Sequence, residues 1–148
     1  MIDPKFTVLI IKPVSVGRGD APAILHDILH NTPVALRGFR VWRICDTSWK
    51  ALCLNSSSLD YNTEKLNAGR SVPAWICLLT HLDRVTDPVP VLEKYCGPFD
   101  SDQWLPKHLR YRYSHHAHDI DTVVHISGIE RAEYEASILF EKFNKEDI

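Results

Sequence analysis

Thr122-Val123-Val124-His125-Ile126-Ser127-Gly128-Ile129-Glu130 reads as a buried strand that passes directly into a helix. Val123 and Val124 carry the β-branched character of a strand. Ser127 with Glu130 three residues on has capping-box spacing, which ends the strand by Ser127. His125 then lies just ahead of a helix N-terminus, where free N–H groups and the positive end of the dipole favour anions. An imidazole there would suit attack on a phosphoryl group. The same residues also fit a core histidine bonded to a carbonyl, and taken alone they favour that structural role.

Elements of matching character lie upstream. Residues 6–12 are nearly all apolar, as in a strand covered on both faces, and stop at Lys12-Pro13. A loop over 14–19 contains Gly17-Arg18-Gly19. Asp20 is placed to cap a helix with Pro22 in its first turn and Ile24, Leu25, Ile28 and Leu29 as its apolar stripe. Residues 38–45 alternate as a strand with Phe39, Val41 and Cys45 on one face. Asp46 would cap a short helix, and after a polar break at 55–58 a second covers 63–67 and ends at Gly69. Another buried strand spans 74–79, and Thr86-Asp87-Pro88 opens a helix closed by Gly97.

Residues 98–120 form a long irregular segment rich in aromatic, His and Arg residues, a length associated with functional loops. The last helix, 129–143, presents Ala132, Ala136, Leu139 and Phe143 together. This order of elements predicts an α+β fold, a ferredoxin-like split βαβ sandwich with a four-stranded antiparallel sheet and helices on one face.

Bulk properties narrow the function classes. The 148 residues suit one domain, 1–148, and the 45% apolar and 24% charged fractions are those of an ordinary globular protein. A net charge of −2 and the lack of an aromatic-basic strand run argue against nucleic acid as a partner. No apolar run is long enough to cross a membrane, and the opening Met1-Ile2-Asp3-Pro4-Lys5 lacks signal-peptide character, so an intracellular, cytoplasmic protein is expected. Cys45, Cys53, Cys77 and Cys96 are irregularly spaced and read as reduced core thiols. His115, His116, His118 and Asp119 have ligand chemistry but read as a solvated loop, so no metal site is expected. Trp104, inside the long segment, is the tryptophan expected at a surface or interface.

Four polar groups stand out by position: Lys12 ends a strand, Arg18 precedes a helix start, Arg110 lies in the long segment and His125 ends another strand. Each alone reads as a solvated charge. Together, cations around a histidine suit a phosphate chain.

Ile10-Ile11-Lys12-Pro13, Arg18-Gly19, Gly38-Phe39-Arg40, Pro106, Arg110 and Val123-Val124-His125-x-Ser127 resemble the nucleoside diphosphate kinases, from about residue 6 to residue 143. The resemblance implies transfer of the γ-phosphate of a nucleoside triphosphate to a nucleoside diphosphate through a phosphohistidine, with Mg²⁺ accompanying ATP. It implies His125 as nucleophile, Lys12 and Arg110 on phosphates, and Ser127 and Glu135 supporting the imidazole. It also implies Thr122 facing the sugar (where the family has asparagine), Tyr61 as the aromatic for the base, and a homo-oligomer. An imidazole whose second nitrogen donates to a carboxylate has its tautomer fixed for attack.

The chain departs from that pattern in several places. Ile126 replaces a glycine after the histidine, and the following Ser-Asp-Ser is shortened to Ser127-Gly128. Glu93 falls at a phosphate-binding arginine, beside Lys94, and Phe99 at a phosphate-binding threonine. An anion in place of a cation loses attraction and adds repulsion. A second reading therefore accompanies the first, that of a catalytically degenerate member serving as a structural or binding subunit of a larger assembly. Under the first reading, His125→Ala is expected to abolish phosphate labelling and leave stability nearly unchanged.

Overall fold

Every side chain of Phe6–Ile11 (β1) is buried, as expected for an apolar run in the middle of a sheet. The computed structural model describes residues 3–54, 72–115 and 122–148. After β1 come α1 (Pro13–Gly17), α2 (Ala21–Asn31), β2 (Val34–Trp42), α3 (Asp46–Cys53), β3 (Ala74–His81) and α4 (Val89–Cys96). A 3-10 turn (Ser101–Gln103), α5 (Leu109–Tyr113), β4 (Val124–Ile126), α6 (Ile129–Leu139) and a last 3-10 turn (Lys145–Asp147) follow among the described residues. The four strands form one antiparallel sheet in the order β2-β3-β1-β4, the split βαβ arrangement the sequence predicts.

Helices cover both faces of this sheet, whereas the sequence pattern suggested one. Leu9, Ile11, Cys77, Leu79, Val124 and Ile126 pack with Ile24 and Ile28 of α2, Leu92 and Cys96 of α4, and Leu109 of α5. On the other face, Val8, Ile10, Ile76 and Leu78 meet Trp49 and Leu52 of α3 and Ala132, Ala136 and Leu139 of α6. The cause is visible in β1, which is apolar at both parities rather than alternating.

Several local expectations are corrected. The loop expected over 14–19 opens instead as α1, because Pro13 occupies a first-turn position where its missing N–H costs nothing. β2 begins earlier than expected, and its register shifts between Leu36 and Gly38. A Cβ at Gly38 would lie 2.9 Å from Leu78 Cδ1, so any larger residue at this irregularity would displace the tip of that side chain. Cys45 lies beyond β2 as the N-cap of α3, and only Cys77 and Cys96 among the four free cysteines are buried.

The capping box is not formed either. Gly128 is the N-cap of α6, and the Ser127 hydroxyl turns back to β1 to accept from Val8 N. That helix ends at Leu139, and Phe143 packs separately against Phe6 with ring centroids 5.6 Å apart. Trp104 is buried, its Nε1 donating to Pro98 O at 2.6 Å, rather than exposed. The polar break at 55–58 and the helix expected at 63–67 lie outside the described residues.

Candidate functional site

β4 is a three-residue strand with His125 at its centre, directly opposite Ile10 of β1. Opposed residues of an antiparallel pair share a face, so the imidazole leaves the sheet on the side covered by α6. There His125 Nε2 lies 2.7 Å from Glu135 Oε1. His125 is 2% exposed and Glu135 fully buried. The other carboxylate oxygen, Oε2, accepts from Arg131 Nε at 3.2 Å, and Arg131 Nη2 donates to Leu52 O at 3.1 Å. The sequence reading overlooked Arg131. Its i,i+4 spacing to Glu135 on one helix was the available signal.

Two cations separated widely in sequence converge on Thr122. Lys12 Nζ donates to Thr122 Oγ1 at 2.6 Å, while Arg110 Nε donates to Thr122 O at 2.9 Å. Both are almost fully buried. Arg110 Nη2 also donates to Val124 O at 3.0 Å, and its Nη1 donates to Gly97 O.

Sheet geometry explains this. Val123 O accepts from Lys12 N and Ser127 N donates to Val8 O, which directs those groups of β4 and its flanks towards β1. The carbonyls of Thr122 and Val124 therefore face the sheet's edge, where Arg110 takes the place of a neighbouring strand. Burial pushes the Arg110 guanidinium below its ordinary value, with Cys96 and Glu93 acting the other way.

The backbone between these contacts is strained. Val123 has φ +68°, a left-handed conformation uncommon for a β-branched residue and costing about 1–3 kcal/mol. Lys12 and Arg110 grip the backbone and side chain on either side of it. Gly97, with φ +96°, is required on two counts, since a Cβ there would also lie 2.7 Å from His108 Cγ.

A cleft of about 640 Å³ opens beside Arg110 and Gly97, lined in part by Glu93, Lys94, Phe99, Lys107 and His108, with Ile126 on its wall; the His125 ring, on the opposite face of the sheet, is not among its lining residues. Thus Glu93 and Phe99, two of the departures in sequence, border the same space as Arg110. His108 Nδ1 accepts from Leu105 N at 2.9 Å. Burial, followed by Lys107 and Arg110, holds its imidazole below the ordinary histidine value.

Ser127 contacts β1, with its Oγ also 3.1 Å from Thr7 Oγ1, so its hydroxyl anchors the strand bearing His125 instead of bonding the ring. Arg18 Nη1 donates to Tyr113 O at 3.3 Å and Ser114 O at 3.5 Å, at the C-terminal end of α5. His115 Nε2 lies 2.7 Å from Asp20 Oδ2. Tyr61, His116, His118 and Asp119 lie outside the described residues. Among the described residues, no three His, Cys, Asp or Glu side chains are grouped so as to hold a metal ion.

This architecture is shared with solved proteins. A nucleoside diphosphate kinase from Aquifex aeolicus superposes with a TM-score of 0.73 at 17% identity, over 93% of this chain and 96% of that one. The chain has the fold of the nucleoside diphosphate kinases. A halophilic nucleoside diphosphate kinase from Halobacterium salinarum, solved in complex with CDP, gives the same TM-score of 0.73 at 17% identity, over 94% of this chain and 89% of that one. An NDP kinase from Pyrobaculum aerophilum gives 0.69 at 16%, over 94% and 97%. In sequence, this chain matches no protein-family model and no curated protein. The nucleoside diphosphate kinase fold is therefore maintained here at low identity, and function rests on the side chains. No described helix is long and apolar enough to cross a membrane.

Proposed function

We propose that this chain is a divergent nucleoside diphosphate kinase-like phosphotransferase, formed by residues 1–148 as one domain. It moves the γ-phosphate of a nucleoside triphosphate to a nucleoside diphosphate through His125. The observation that carries the reading is the 2.7 Å contact between His125 Nε2 and the buried Glu135 carboxylate. With Nε2 donating to Glu135, Nδ1 is the nitrogen that reacts. Its lone pair forms the N–P bond as the bond from the γ-phosphorus to the bridging oxygen breaks, and the nucleoside diphosphate leaves with that electron pair. The acceptor's terminal phosphate oxygen then takes the phosphoryl group and restores the imidazole.

Lys12, Arg110 and Thr122 are the proposed phosphate and sugar contacts, and Tyr61 the base contact. Phosphoryl transfer depends mainly on positioning and charge compensation, which supports a role for two buried cations that reach Thr122, beside the histidine's strand, from distant parts of the chain. Mg²⁺ enters with the substrate, as MgATP, because this hard cation keeps several waters and binds largely through phosphate oxygens. Incubation with γ-labelled ATP tests the reading. Acid-labile, base-stable label on His125, transferred to added nucleoside diphosphate, is the expected result. A folded wild-type protein that takes no label under these conditions rules it out.

One observation favours the second reading, a structural or binding subunit. Arg110 directs Nε, Nη1 and Nη2 at backbone carbonyls, while Glu93 places an anion on the cleft it borders. That reading requires nucleotide binding to be weak and label to be absent. In either case we propose a homo-oligomer, supported by the exposed apolar side chains Leu36, Phe39 and Val41 along edge strand β2.

A further inference from the structure

We propose that Arg131 is a positioning residue that selects the tautomer of His125 by acting through Glu135. The inference rests on the reading of His125 as the reacting group. It extends the site to a residue that touches neither phosphate nor imidazole.

Glu135 is fully buried, and a carboxylate withdrawn from water is costly unless a countercharge and hydrogen bonds compensate it. Its two oxygens have different partners: Oε1 faces His125 Nε2 at 2.7 Å, and Oε2 accepts from Arg131 Nε at 3.2 Å. Arg131 is a permanent cation with no acceptor atom. While it holds Oε2, Glu135 remains a carboxylate, and Oε1 can only accept. His125 Nε2 must then carry the hydrogen, which puts the ring's lone pair on Nδ1.

Removal of the countercharge changes this logic. A buried carboxyl with no cation beside it favours its neutral form, whose O–H can donate to Nε2. The pair would then have taken up one proton from solvent: the carboxyl O–H donates to Nε2, and the imidazole holds its hydrogen on Nδ1 and loses the nucleophilic lone pair there. Arg131 thus selects between two arrangements that place the heavy atoms in nearly the same positions.

Arg131 is itself fixed for this task. Nη2 donates to Leu52 O at 3.1 Å, in the last turn of α3, and its guanidinium carbon lies 5.3 Å from the centre of the Tyr134 ring. Tyr134 in turn donates from its hydroxyl to Ala51 O at 3.1 Å. The fork therefore bridges a helix-end carbonyl and the carboxylate. A lysine would supply the charge without spanning both acceptors.

The test is long-range proton–nitrogen NMR of protein labelled with ¹⁵N-histidine, near neutral pH, with His125 assigned by the spectrum of His125→Gln. Wild type is expected to show Nε2 protonated and Nδ1 bearing the lone pair. Arg131→Met and Arg131→Gln, two charge-deleting variants that guard against one failing to fold, are expected to move the hydrogen to Nδ1. Arg131→Lys should restore the wild-type pattern at least in part. Labelling by γ-labelled ATP should fall about 10- to 100-fold in the charge-deleting variants and recover in the lysine variant. A charge-deleting variant that keeps the wild-type tautomer overturns the inference, whatever its stability. If the tautomer responds as expected but wild type takes no label, the phosphotransferase reading fails and the Arg131 relationship stands.

Discussion

His125 and Glu135, ten residues apart in sequence, meet inside the protein with Nε2 and Oε1 separated by 2.7 Å. Their burial changes the expected cost of removing the histidine. From sequence, His125→Ala would be nearly neutral for stability. In the structure it leaves a buried carboxylate oxygen without its nearest partner, at a cost of about 1–3 kcal/mol. We expect His125→Ala to abolish labelling and lower the urea midpoint. His125→Gln, which can still donate to Oε1, should abolish labelling with a smaller loss. Equal stability of His125→Ala and wild type would show that the pair contributes nothing to folding.

Arg110 supports the edge of the sheet as well as the proposed phosphate site. Its fork reaches the carbonyls of Thr122, Val124 and Gly97. Arg110→Met leaves the Val124 and Gly97 carbonyls without this donor, while Thr122 O keeps the Val124 N–H, and should destabilise the fold by at least about 2 kcal/mol. Arg110→Lys keeps a charge but cannot serve all three positions, so most of that loss should persist. Urea denaturation of both variants measures this, and near wild-type stability for the lysine variant would count against the edge-covering role.

Much of this architecture is legible in sequence because β1 and β3 are long apolar runs, and because His125 follows Val123-Val124 ahead of a helix. Two-sided covering was readable in β1 from its apolar residues at both parities, but the order of elements alone did not show which helices take the second face. Local polar partners were the least readable. Ser127 has the spacing of a cap, but the nearby amide of Val8, 119 positions away, captures its hydroxyl. Trp104 looked exposed in a polar loop until Pro98 O supplied a partner for its indole N–H. Lys12 and Arg110 each resembled a surface charge, and only strand pairing brings both to Thr122.

His108 predicts a pH dependence of stability. Its imidazole value in the folded protein lies below the ordinary 6.5, chiefly through burial, and its Nδ1 accepts from Leu105 N. The unfolded chain therefore binds a proton at this residue at a higher pH than the folded chain does. Its contribution is fully present above pH 6.5 and is lost as pH falls from there through the lowered folded value. His108→Asn, whose amide oxygen can take the place of Nδ1 without titrating, should flatten the stability profile in that window. Denaturation midpoints across mildly acidic pH test this, and an unchanged slope in the variant would assign the dependence to other groups.

The exposed side chains of β2 lead to a prediction about assembly. Leu36 pairs with Leu79, Phe39 with Cys77 and Val41 with Trp75, so the register shift leaves all three on one face of the edge strand. Phe39 is 43% exposed, with its ring edge against Trp75. Sedimentation should find an oligomer in wild type and a smaller species for Phe39→Asp with its helical signal retained. A wild-type monomer at micromolar concentration would refute the homo-oligomer.

Glu93 and Phe99 provide a test by restoration rather than removal. Both line the cleft bordered by Arg110, and both are exposed, so substitution there does not disturb the core. Glu93→Arg replaces a repulsive charge with an attractive one, and even the screened interaction of a surface site is worth about 1 kcal/mol or more for each of the two terms. Together these correspond to roughly tenfold or greater tightening of nucleoside diphosphate binding. Phe99→Thr adds a hydroxyl on the same wall and should tighten it further. Calorimetric titration of wild type, Glu93→Arg and the double variant with ADP measures both steps. If the phosphates bind in this cleft, affinity rises in that order and falls with added salt. If Glu93→Arg leaves ADP affinity unchanged, the phosphates do not approach residue 93, and the correspondence drawn from sequence at that position is wrong.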